Sequence, residues 1–99
     1  MCFFADDADF FSIVYSLRSL SIEEIYYVGL ALGINHKRLM EVKESKFFLN
    51  EMVQFWLSEV DNVSKKGTPS WEVLVDVLNL PMIGQNGLAQ KIMEEHATK

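Results

Sequence analysis

The side chains in this chain best able to ligate a metal or attack an electrophile are Cys2, His36 and His96, and they are scattered. A zinc site needs three or four such ligands at short, regular spacing. None is spelled out, so both histidines read as structural or solvated and no metal is expected. Serine, histidine and aspartate all occur, but no Gly-x-Ser-x-Gly elbow or similar frame sets a hydroxyl beside an oriented base. No Gly-x-Gly-x-x-Gly or Walker-type loop appears either, and Gly84-Gln85-Asn86-Gly87 reads as the start of a helix rather than a phosphate cradle. The expectation is a protein that is not an enzyme, with no catalytic residues, no cofactor and no small-molecule substrate.

Charge and off-stripe aromatics remain as the means of doing anything. His36-Lys37-Arg38, with Lys43 and Lys46 nearby, forms a basic cluster in a chain of net charge −5, while Asp6, Asp7, Asp9, Glu23 and Glu24 make its beginning acidic. Two such faces on one small body can meet head to tail, complementary potentials setting register and encounter rate more than affinity. Taken singly these charges also fit ordinary solvated helix faces, because an exposed pair contributes only ~0–1 kcal/mol. Lys65 and Lys66 are a second basic candidate. The acidic balance argues against sequence-independent binding to nucleic acid or to an anionic membrane.

Elements must position these groups, and the hydropathy pattern is helical throughout, with no sustained two-residue alternation. With 99 residues and 49% hydrophobic content, one domain over 1–99 can bury a core. The single Cys2 allows no intrachain disulfide and points to a reducing compartment, which makes the Asn62-Val63-Ser64 sequon incidental. No apolar run approaches the ~18 residues of a membrane span, and the first residues lack the basic start of a signal peptide.

Six helices are predicted. The first runs from about Asp7 to Arg18, burying Phe10, Ile13, Val14 and Leu17. Ser21-Ile22-Glu23-Glu24 matches a capping box for the second, which turns Ile25, Val28, Gly29 and Leu32 inward and ends at Gly33; Gly29 marks a close contact. Asn35 or His36 opens a short third helix anchored by Leu39, Met40 and Val42. Leu49, Met52, Val53, Trp56, Leu57 and Val60 make the fourth, ended by the polar run 61–67. Thr68 caps the fifth, with Pro69 in its first turn and Trp71, Leu74, Val75 and Leu78 inside. Asn86 caps the sixth, with Leu88, Ala89, Ile92 and Met93 inward, fading at His96. Phe55 falls about 130° from the centre of the fourth stripe at ~100° per residue, and Phe11 and Tyr15 fall beside the first. These three aromatics are candidate partner contacts. Trp56 and Trp71 are candidate core.

The order of fragments resembles the death domain across nearly the whole chain: Gly29-Leu30-Ala31-Leu32-Gly33-Ile34, Trp56-Leu57, Ser70-Trp71-Glu72-Val73-Leu74-Val75-Asp76-Val77-Leu78, then Gly87-Leu88-Ala89-Gln90-Lys91-Ile92. The Arg-x-Asp-Leu element of the death effector subclass is missing from the last helix. Ile25, Tyr26 and Tyr27 stand where the family often places a tryptophan. The resemblance implies an all-α, antiparallel six-helix Greek-key bundle that makes homotypic contacts in cytoplasmic signalling assemblies of the apoptotic or innate-immune type. Its implied partners are other death-domain proteins, copies of itself or different chains, and open heterologous contacts can climb into a helical oligomer. Helices one and four share a contact surface in that family, and so does the corner holding Lys65 and Lys66.

The alternative reading is a DNA-binding helix-turn-helix. Helix two, the Gly33 turn and helix three fit that motif, with Lys37 and Arg38 facing outward from the reader helix. The acidic balance and the scarcity of further cations to hold phosphates count against it.

Overall fold

A computed structural model describes residues 9–96. It contains six α-helices and one 3-10 turn, and no strand occurs among the described residues: α1 (Phe10–Leu17), α2 (Ile22–Leu32), α3 (His36–Val42), α4 (Phe48–Leu57), the turn Val63–Lys66, α5 (Trp71–Leu78) and α6 (Asn86–His96). The acidic residues Asp6 and Asp7 and the aromatics Phe3 and Phe4 lie outside the described residues.

Local chemistry sets the ends. Asp9 caps α1, one carboxylate oxygen accepting from the Ser12 N–H at 3.0 Å and the other from its hydroxyl at 2.9 Å. The helix therefore starts at Phe10 rather than near Asp7. Both arms of the α2 capping box form: Ser21 Oγ accepts from Glu24 N–H at 3.2 Å, and Glu24 Oε1 accepts from Ser21 N–H at 2.8 Å. Gly33 then closes α2 at φ 106°, a left-handed conformation that disfavours any side chain. Asn35 caps α3 by accepting from Lys37 N–H at 2.8 Å.

Three expected ends move. The cap of α5 is Ser70, accepting from Val73 N–H at 3.2 Å, so Thr68 and Pro69 precede the helix instead of opening it. Asn86 is the first residue of α6 and not its cap; its amide donates to the Asn79 side chain at 2.8 Å. Finally, α4 stops at Leu57, because Glu59 and Asp61 take left-handed φ values of 53° and 55° and turn the chain. Val60 reaches the core from that turn, outside the helix.

The core gathers one face of every helix. Ile13 and Leu17 of α1 join Ile25, Val28 and Leu32 of α2, Met52, Val53 and Trp56 of α4, and Ala89 and Ile92 of α6. Trp56 and Trp71 are each 1% exposed, as their stripes predict. Phe48 is also buried, although it lies just ahead of the expected α4 stripe, and Val63 sits in the core from within a run that reads as polar loop. Met40 reverses expectation. Helix α3 is seven residues long and turns one deep anchor, Leu39, inward, which leaves Met40 49% exposed. The close approach at Gly29 is real: a Cβ there would stand 3.0 Å from both Leu39 methyls and 3.2 Å from Met52 Cγ. α5 packs on α6, α1 on α4, and α2 lies against α3, α4 and α5.

Candidate interaction surface

The basic cluster of α3 is held by the bundle rather than offered whole to solvent. Asp61 makes the hold. Its left-handed backbone aims the carboxylate at the start of α3, where Oδ2 accepts from the Asn35 N–H and from Arg38 Nε, both at 2.9 Å, and Oδ1 accepts from a second Arg38 nitrogen at 3.3 Å. The Arg38 guanidinium, then the Asn35 amide, hold the Asp61 carboxyl below the usual carboxylate range. Beneath this clamp the Gly33 carbonyl accepts from Asn62 N–H at 3.0 Å. A Cβ at Gly33 would stand 2.8 Å from the Asn62 carbonyl, so this corner requires glycine twice over.

Two other members are also engaged. His36 Nδ1 is hydrogen-bonded to the Tyr26 hydroxyl. Lys43 pairs with Glu23 at 3.3 Å and lies over the Tyr26 ring. Lys37 is exposed and has no ion pair among the described residues. Glu24, besides its capping role, accepts from the Gln85 amide and ties α2 to the approach of α6. Glu23 and Lys43 thus adjoin within one molecule, the acidic start of α2 lying against the basic exit of α3. Lys65 and Lys66 are exposed on the 3-10 turn, and Lys66 borders a shallow groove with Ala31, Val73 and Asp76.

The three off-stripe aromatics separate. Phe11 is 81% and Tyr15 61% exposed on α1. Phe55 is half-buried, packs on the core and lies 5.4 Å from the Arg38 guanidinium, so the structure does not bring it to the surface that Phe11 and Tyr15 make. Arg18, which the sequence did not single out, stacks on Tyr15 with its guanidinium carbon 3.7 Å from the ring centre. The signal was there: positions 11, 15 and 18 follow the i, i+4, i+7 spacing of one helical face. Where the start of α2 meets the end of α3, exposed Ile22 and Met40 line a cleft of about 460 Å³ with Glu41, Lys43 and Glu44. Sequence reasoning placed Met40 inside and passed over Ile22 as part of a cap.

Among the described residues no group of three or more His, Cys, Asp and Glu side chains is placed to hold a metal ion, and no helix is long and apolar enough to cross a membrane. Comparison with family models, with curated proteins and with solved structures finds no match for this chain.

Proposed function

We propose that this chain is a death-domain-like interaction module, its six helices arranged as a Greek-key death fold, which docks onto kindred helical bodies, its own copies included, to build signalling assemblies. One observation carries the functional half of this reading: α1 buries Ile13 and Leu17 on one side and presents Phe11 and Tyr15, 81% and 61% exposed, on the other. A short helix that is apolar on its solvent side as well as its core side exposes area that water disfavours, and aromatic side chains stacked with arginine are the composition of interface anchors. The fold half is supported by the burial of Trp56 and Trp71 and by the Gly29 and Gly33 close contacts around the α2 end, where the fragments resembling the family lie.

The DNA-binding alternative loses support at the residues it needs. Arg38 of the would-be reader helix is bound to Asp61 and His36 to Tyr26, which leaves Lys37 as the cation of that helix without a side-chain partner among the described residues. Sedimentation velocity with and without random-sequence duplex DNA separates the two readings. Self-association that rises with protein concentration and ignores the duplex is the expected result. A protein that stays monomeric alone and co-sediments with duplex in a salt-dependent way would replace this reading with the other.

A further inference from the structure

We infer that Tyr15 is a site of tyrosine phosphorylation, with Arg18 and Lys91 receiving the phosphate, and that the modification switches off docking through α1. The regulatory half rests on the self-association reading above, whereas the site itself does not. The chain has three tyrosines, and their surroundings sort them. Tyr15 is 61% exposed against 44% for Tyr27, and Tyr26 is half-buried with its hydroxyl already bound to His36. Neighbouring charge separates them further. Residues three and four apart share a helical face, so a phosphate on Tyr27 would meet Glu24 and Glu23 one turn before it. Tyr15 has Ser12 and Phe11 at those places, and Arg18 one turn after it.

The receiving cations are in place. The Arg18 guanidinium stacks on the Tyr15 ring at 3.7 Å and donates to the Tyr15 carbonyl, and no carboxylate lies within ion-pair distance of it among the described residues. Lys91 of α6 borders the same hollow beside Tyr15, where Glu95 is the opposing acid. A phosphoryl group brings about −1.5 to −2 charges and three acceptor oxygens, and an arginine binds it through two parallel N–H bonds. Arg18 needs only a side-chain movement, from the ring face toward the hydroxyl end, to make them. Access follows from the light anchorage of α1. A kinase takes its substrate tyrosine in an extended segment, and α1, with Ile13 and Leu17 buried, opens locally more readily than α5, which buries five side chains. In the transfer, Tyr15 Oη forms a bond to the γ-phosphorus of ATP as the bond to the β–γ bridging oxygen breaks. ADP leaves, and the phenolic proton passes to the kinase's catalytic carboxylate. The product puts a phosphate beside exposed Phe11, on a face that docking would have to strip of water.

A purified broad-specificity tyrosine kinase domain with magnesium and ATP is the probe, and tandem mass spectrometry maps the product. Phosphate mainly on Tyr15 is the expected result, and Tyr15→Phe should lose it. Phosphorus NMR then reads the cations: the phosphate should titrate at higher pH in Arg18→Gln than in the wild type, because the guanidinium favours the more charged form. Phosphorylated wild type should self-associate on the order of tenfold more weakly in sedimentation equilibrium, with circular dichroism unchanged, whereas kinase-treated Tyr15→Phe should associate as it does untreated. A folded chain that takes no phosphate, or takes it mainly on Tyr26 or Tyr27, overturns the site. A titration indifferent to Arg18→Gln overturns its reception by Arg18, and association unchanged by phosphate on Tyr15 overturns the switch. An unmodified chain that never associates overturns the functional reading instead, and the mapping still judges the site.

Discussion

Helices α5 and α3 are nearly equal in length and are held by different physics. Five of the eight α5 residues are buried, Trp71 among them, with His96 stacked on its indole at 3.9 Å. Helix α3 buries Leu39 alone and is fastened at its start by the Asp61 carboxylate and the Gly33 close contact. Apolar burial is insensitive to pH and to ionic screening, whereas an exposed charge clamp is sensitive to both. The contrast separates the two tasks of the molecule: α5 makes the body, and α3 shapes a corner whose outward residues, Met40, Glu41 and Glu44, remain available.

Breaking the α5 side has the largest effect. Trp71→Ala should cost ~3–5 kcal/mol, because it removes a fully buried ring and leaves a cavity, and chemical denaturation would read this as a midpoint shift or outright unfolding. Gly33→Ala comes next. Its φ of 106° alone implies ~1–3 kcal/mol of strain, and the new methyl would press on the Asn62 carbonyl, so thermal unfolding should show a clear loss.

The charge clamp sharpens the comparison through its pH dependence. Asp61 has its folded pKa depressed, so its contribution is present above the unfolded carboxyl value of ~3.9 and disappears as pH falls through the lower folded value. Asp61→Asn should therefore lower the melting temperature at neutral pH, and the gap from wild type should close in acid. A gap that persists unchanged below the folded value would remove the clamp from the account. The smallest effect belongs to Lys37→Glu, expected within ~0.5 kcal/mol of wild type by the same melts. Reversing Arg38 together with Lys37 is not equivalent, since a glutamate at 38 would face Asp61 and loosen the corner.

Where one periodic stripe meets one core, the sequence was a good guide. The Ser21 capping box, the inward faces of α2 and α5 and both tryptophans are legible because each follows from spacing within a turn or two, and Gly29 is legible as a small residue on an apolar stripe although its neighbours Leu39 and Met52 come from other helices. Legibility failed where tertiary geometry decides. Nothing in the run 61–67 announces that Asp61 would turn left-handed and bind α3 from 23 positions away, or that Val63 would drop into the core. Asp61 is of a type that tolerates that conformation, a signal too weak to pick it out. The basic cluster reads as a unit because its residues adjoin in sequence, whereas the fold gives Arg38, His36 and Lys43 separate partners and leaves Lys37 without an ion pair among the described residues. Arg18 is hard to read from sequence because it belongs to no run of like charge and acts through one aromatic three positions before it.

Static light scattering of the wild-type chain over a concentration series tests the central claim most directly. The account predicts a weight-average mass that climbs steadily above the 11.4 kDa monomer without levelling at a closed dimer. A mass that stays at the monomer value across the whole series would contradict it.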